Sequence, residues 1–287
     1  MTTELYGSDA YAPSEVARRV QTVGVAKAQM AFLPLAMLGM LAGAFIGLGS
    51  MLFVIVKADT SLGFAASQLV GGLAFSLGLL LVVVAGAELF TGNNLLAMAW
   101  ADKKISSRQV LRNWVIVCVA NFAGAVGLAV LVYLSGHTGM AGGRIGDAVV
   151  RIALMKQALP WHEAFVRGVL CNVLVCLAVW MAMAGRSVVD KAVAVIFPIS
   201  AFVAAGFEHS IANMYLMPLA MLVQTGAPGV EAGGLAVTAT GMMTNLAWVI
   251  AGNLVGGSVL VGLTYQVIYR RRQPRTARSA DGQSATG

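Results

Sequence analysis

The chain has 287 residues, 59% of them hydrophobic and only 11% charged, with a mean hydropathy of +0.81. A soluble domain carries roughly 25% charged residues, so this composition excludes a soluble globular protein and implies an integral membrane one. The formal charge of +7 does not indicate nucleic-acid binding, because its placement follows the apolar runs. Arg18, Arg19 and Lys27, then Lys103, Lys104, Arg108 and Arg112, then Arg186 and Lys191, and finally Arg270, Arg271, Arg272, Arg275 and Arg278 form one set. Lys57, Arg144, Arg151, Lys156 and Arg167 alternate with them across the spans. The positive-inside rule then puts the larger set, and both termini, on the cytoplasmic side.

Residues 1–29 are expected to be a cytoplasmic N-terminal segment with a short helix from Ser14 to Ala28. The first span, with Pro34 near its start, runs to about Val56. It is too long for a signal-peptide core and lacks a cleavage site. Gly39, Gly43 and Gly47 give it successive small-residue steps for close helix packing. The stretch 60–101 holds one charge, Glu88, and is too long for one crossing of about 20 residues but too short for two. Its Leu89–Asn94 segment is poor helix material, which predicts a helix to about Gly86, an unwound loop, and a half-helix ending near Trp100.

A third span covers Asn113 to about Leu134, followed by a polar external segment from Ser135 to His162. The fourth runs from about Phe165 to Ala184. The fifth stretch, 192–222, is again interrupted, by Pro198, Gly206, Glu208, His209 and Asn213. Residues 223–239 read as external and Gly-rich, and a sixth span covers about Met242 to Tyr269. The remainder, 271–287, reads as a basic, disordered cytoplasmic tail.

The two interrupted stretches share a pattern. Gly86, Glu88 and Asn93 in GAELFTGN match Gly206, Glu208 and Asn213 in GFEHSIAN. Asn121 and Gly124 likewise match Asn253 and Gly256. The predicted fold is therefore all-α: a six-span domain over 30–270, built as a three-span repeat at about 30–135 and a second at about 163–270. An odd number of spans per repeat inverts the second copy, so the broken helices 2 and 5 meet from opposite faces.

A carboxylate in such a stretch costs at least ~2.5–3.5 kcal/mol at a bilayer centre, so Glu88 and Glu208 must be compensated. They are read as break-stabilising groups that receive orphan amide hydrogens, with titration during transport as the other possibility. Asn93 and Asn213 are read as interhelical hydrogen-bonding groups. Asn172 is divided between that role and donation to a passing anion. His209, at the predicted convergence point, is the candidate proton shuttle or anion donor, and Thr91 its partner from the other break. His137 and His162 fall in the outer loop. Leu79, Leu89, Phe90 and Phe202 flank the breaks and fit either core packing or a ring that excludes water. Cys118, Cys171 and Cys176 read as core residues. No nucleophile motif or metal set supports an enzyme, and no metal or cofactor is expected.

VGGLAFSLGL (70–79), ELFTGNN (88–94), NVLVCLAVWMA (172–182), GRSVVDKA (185–192) and FVAAGFEHSIANM (202–214) resemble the formate/nitrite transporter family over about residues 15–272. That resemblance implies an aquaporin-like protomer and a homopentamer in the inner membrane, with one pore per protomer. The substrate would be formate or nitrite. It implies His209, Thr91 and Asn172 in the pore, Leu79 and Phe202 as the outer constriction, and Leu89, Phe90 and Val175 as the inner one. Lys156 would be the vestibule residue that draws anions. ELFTGNN is closer to nitrite members, whereas GRSVVDK and LTYQVIY are closer to formate members. Hydrosulfide, acetate and lactate remain alternatives within the fold, and a neutral-solute or water channel is a further alternative, which the absence of NPA triplets at Asn93 and Asn213 disfavours.

Overall fold

The computed structural model describes residues 10–226 and 235–269. The expected basic tail, and part of the Gly-rich segment at 223–239, lie outside them. The regular structure of the described chain is helical, and Ala10 and Gly185 form an isolated antiparallel bridge.

Helix α1 (Pro13–Gln29) starts with Glu15 accepting from the Ala12 backbone amide at 3.0 Å. Helix α2 (Phe32–Ala58) is followed by α3 (Phe64–Leu81), which widens into a π-type turn at Val82–Gly86. The chain then leaves helical geometry and resumes as a tight turn at Gly92–Leu95 and a short α4 (Leu96–Ala101). Next come α5 (Ser107–Leu134), α6 (Arg144–Gln157), α7 (Trp161–Ala184) and α8 (Val188–Ala204). A second non-helical break precedes α9 (Ser210–Gly226). Helix α10 (Ala239–Leu254) runs through a π-type segment, Val255–Leu263, into α11 (Thr264–Tyr269).

Among the described residues, five helices are long and apolar enough to cross a bilayer: Phe32–Ala58, Phe64–Gly86, Ser107–Leu134, Trp161–Ala184 and Ala239–Tyr269. This is a multi-pass membrane protein. Its outer surface carries many exposed large apolar side chains, such as Phe64, Leu111, Val119, Leu131 and Phe197, as a lipid-facing surface requires.

Two boundaries differ from the sequence reading. The segment 135–162 is not merely a polar loop, because it contains α6, which buries Ile145, Val149, Ile152 and Ala153 against α9 and α2. The helical spacing of those residues is masked by Arg144, Asp147 and Arg151 on the other face and by Lys156, which lies on the inward face. The fourth span starts at Trp161, earlier than expected, because Pro160 sits just before its first turn.

Small residues let α2 and α5 touch backbone to backbone. A Cβ on Gly43 would lie 2.0 Å from the Asn121 carbonyl oxygen, and one on Gly124 would lie 1.9 Å from that of Met40. Gly256 repeats the arrangement on α7, where a Cβ would sit 2.2 Å from the Val169 carbonyl oxygen. Gly124→Ala should therefore cost about 1–3 kcal/mol through overpacking. A lower melting temperature of the purified protein in detergent is the expected result, and an unchanged one would contradict this packing account.

Candidate functional site

Each break opens with a glycine in the left-handed region, Gly86 at φ 85° and Gly206 at φ 72°. A Cβ is disfavoured there, so glycine makes the turn at little cost. The chain then closes a wide turn, with the Ala87 amide donating to the Val82 carbonyl and the Phe207 amide to that of Phe202, both at 3.0 Å.

The backbone groups released by each break are met by one buried asparagine. Asn121 donates to the carbonyls of Gly39 (2.7 Å) and Glu88 (2.9 Å) and accepts from the Phe90 amide (2.9 Å). Asn253 donates to the carbonyls of Gly168 (2.8 Å) and Glu208 (3.0 Å) and accepts from the Ser210 amide (3.1 Å). Irregular backbone at this depth persists only with such partners.

The carboxylates are handled in the same duplicated way. Glu88 accepts from Asn93 (2.7 Å) and pairs with Lys27 (3.0 Å), while Asn93 donates to Asn113 (3.0 Å). Glu208 accepts from Asn213 (2.7 Å) and pairs with Lys156 (2.8 Å), while Asn213 donates to Asn245 (2.8 Å). Asn113 and Asn245 in turn donate to the backbone carbonyls of Lys27 and Lys156. The expected bonds from orphan backbone amides to these carboxylates are therefore replaced by an ammonium and an amide side chain. A buried carboxylate gains more from an opposite full charge than from a partial one.

At the centre the two breaks differ in chemistry. Leu89 follows Glu88, whereas His209 follows Glu208. Both are buried, and His209 Nε2 lies 3.0 Å from Thr91 Oγ1. Its Nδ1 accepts from the Ala212 backbone amide at 3.2 Å. That bond needs the Nδ1 lone pair, so the hydrogen-bond network assigns the neutral ring a proton on Nε2, donated to Thr91. The Thr91 hydroxyl hydrogen is then available to a third group.

On one side of this pair lies a narrow apolar gap, too tight to hold a water molecule, bounded by Ile46, Phe75, Val175, Ile199 and Phe202. Phe75 meets Phe202 edge-on at 5.6 Å and His209 at 6.3 Å. On the other side lies a cavity of about 410 Å³ on the α1 side of the breaks, lined by Arg19, Lys27, Lys191 and Glu88 among apolar residues. Leu79 and Leu89 line both spaces and so form the partition between them.

Several expected site residues sit elsewhere. Leu79 shares the lining of the gap with Phe202 and also borders the cavity, because α3 carries it one turn beyond Phe75 towards the break. Phe90 lines neither space and is buried in the apolar core, since its amide is tied to Asn121. Asn172 also lines neither. Its amide group is shared by the Thr91 carbonyl (3.2 Å), Asn94 Oδ1 (2.7 Å) and the Asn253 carbonyl (2.6 Å), so it braces the Thr91 loop from behind. Lys156 lines neither and is held by Glu208. The sequence reading missed Ile46, Phe75 and Ile199 around the gap, and Lys27, Asn113 and Asn245 in the frame. Polar side chains isolated in apolar runs were the available signal for the asparagines.

The chain matches the family model for the formate/nitrite transporter over residues 14–267. It belongs to that family. A curated relative, the formate channel FocA of Escherichia coli (strain K12), is 38% identical over 273 residues, covering 92% of this chain and 96% of the relative. A solved structure described as a pentameric formate channel with formate bound shares 36% identity at a TM-score of 0.76, covering 83% of this chain and 97% of its own. Another, described as an FNT family ion channel, shares 31% identity at a TM-score of 0.79, covering 89% and 99%. The formate/nitrite transporter family comprises channels and transporters, not enzymes.

Proposed function

We propose that this chain is a channel or proton-coupled carrier for small monovalent anions, formate first and nitrite second. The observation that carries the reading is the buried His209–Thr91 pair, formed across the two breaks with an apolar gap on one side and a basic cavity on the other. An anion entering such a gap faces a desolvation penalty of several kcal/mol. A proton that His209 takes up from the aqueous side and passes to the anion converts it to a small neutral acid that passes apolar walls cheaply, and returns the ring to its neutral form. Thr91 offers the hydroxyl that holds the anion at the transfer point. Leu79 and Leu89 exclude water where the gap meets the basic cavity, and Val175, Phe75 and Phe202 exclude it within the gap.

In the architecture we infer, α8 and α9 together make a sixth crossing, and the duplicated contacts belong to two inverted three-span repeats. Both termini then lie in the cytoplasm, with the protein in the inner membrane. The exposed apolar faces of α3 and α8 would meet lipid or neighbouring copies in a homopentamer, as the pentameric neighbour suggests.

Purified protein in liposomes tests the reading. Labelled formate should accumulate faster than in empty liposomes and be competed by nitrite, while osmotic swelling in a neutral solute stays at the background rate. Swelling without formate uptake would replace the reading with a neutral-solute channel.

A further inference from the structure

From the gap beside His209, two helical stripes packed against each other run towards the face opposite α1. On α2, Ile46 at the gap is followed at helical spacing by Phe53 and then Lys57. On α3, Phe75 at the gap is preceded by Gly71 and by Gln68 and Ser67. The stripes converge: Phe53 meets Phe75 edge-on at 6.4 Å, and the Lys57 ammonium lies 5.5 Å from the centre of the Phe53 ring. Lys57 donates to Ser67 Oγ at 3.2 Å and to Gln68 Oε1. Gln68 donates onward to the carbonyl of Ala204 at 3.1 Å, the last residue of α8 before the second break.

The charges at this end are unevenly spent. Lys156 is committed to Glu208 at 2.8 Å, so the pair contributes little net field. Lys57 has no carboxylate within ion-pair distance among the described residues, and Arg151 donates to its backbone carbonyl at 3.2 Å, adding a second cation. An ammonium has three donors. Two are fixed by Ser67 and Gln68, which orients the third without further loss of side-chain freedom.

We propose that Lys57, positioned by Ser67 and Gln68, is the docking group for the small carboxylate on the face opposite α1, and that it sets apparent affinity from that side. The anion then passes the ring edges of Phe53 and Phe75, which carry partial positive charge, before reaching His209. This inference rests on the proposed anion-transport function.

The test is formate uptake in liposomes with protein of one orientation, measured from each face. Lys57→Gln should raise the half-saturating concentration from the face opposite α1 by about fivefold and flatten its dependence on ionic strength. Saturated flux, and uptake from the α1 face, should match the unsubstituted protein, and Lys57→Arg should stay close to it. Unchanged half-saturation and salt dependence in Lys57→Gln overturn the proposal. Should that variant not fold, Ser67→Ala decides: it leaves the charge but loosens it, and an unaltered half-saturation overturns the proposal equally. Absence of formate flux in the unsubstituted protein would instead overturn the transport reading.

Discussion

Replacing His209 with glutamine should flatten the pH dependence of formate flux and lower the flux at least about tenfold. The physical basis is the ring's placement: Nδ1 is held by the Ala212 amide and Nε2 faces Thr91, with little water access. Glutamine preserves a donor towards Thr91 but cannot exchange a proton in the working pH range. The permeant species then crosses the gap as an anion, at a cost of several kcal/mol, and every 1.4 kcal/mol is a factor of about ten. The measurement is initial flux into liposomes at a series of external pH values, with equal reconstitution confirmed for both proteins. A variant that retained the full pH response would remove His209 from the transfer step, and the role of Thr91 would need another partner.

Asn253→Leu should have the largest effect on folding. This one side chain supplies partners to the Glu208 carbonyl and the Ser210 amide, neither of which has water to turn to. Leaving each unsatisfied costs about 1–3 kcal/mol, and the two losses fall on the same break. Total stability of a typical domain is only about 5–15 kcal/mol, so a sharp fall in monodisperse protein and in melting temperature is expected. Asn253→Asp should be milder in one respect, because it keeps an acceptor for Ser210 while losing both donated bonds. If Asn253→Leu melted with the unsubstituted protein, the break would not depend on this residue. Asn121→Leu should behave alike, since it holds the first break by the same three kinds of contact.

The breaks were legible in the sequence because Gly86, Thr91, Gly92, Asn93 and Asn94, and later Gly206, Glu208 and His209, interrupt otherwise apolar runs. The approach of Thr91 to His209 was legible for the same reason, since few polar groups exist at that depth. Helix α6 was not, because its charged face masks its apolar face in any average over the segment. The ammonium partner of Glu88 was also hidden. Lys27 belongs to a helix outside the spans, and only tertiary packing brings it within 3.0 Å. Phe90 shows the limit of reading a constriction from linear order, since a small change of direction decides whether a side chain faces a passage or a neighbour.

The matched frames with unmatched centres have a consequence for assembly. Two identical half-length chains, associating about a twofold axis, would carry the same residue after each glutamate: two leucines, with no titratable group, or two imidazoles crowding each other. Joining the halves covalently removes that restriction. One strut of the scaffold keeps a hydrocarbon wedge while its twin carries the imidazole, and neither has to compromise for the other.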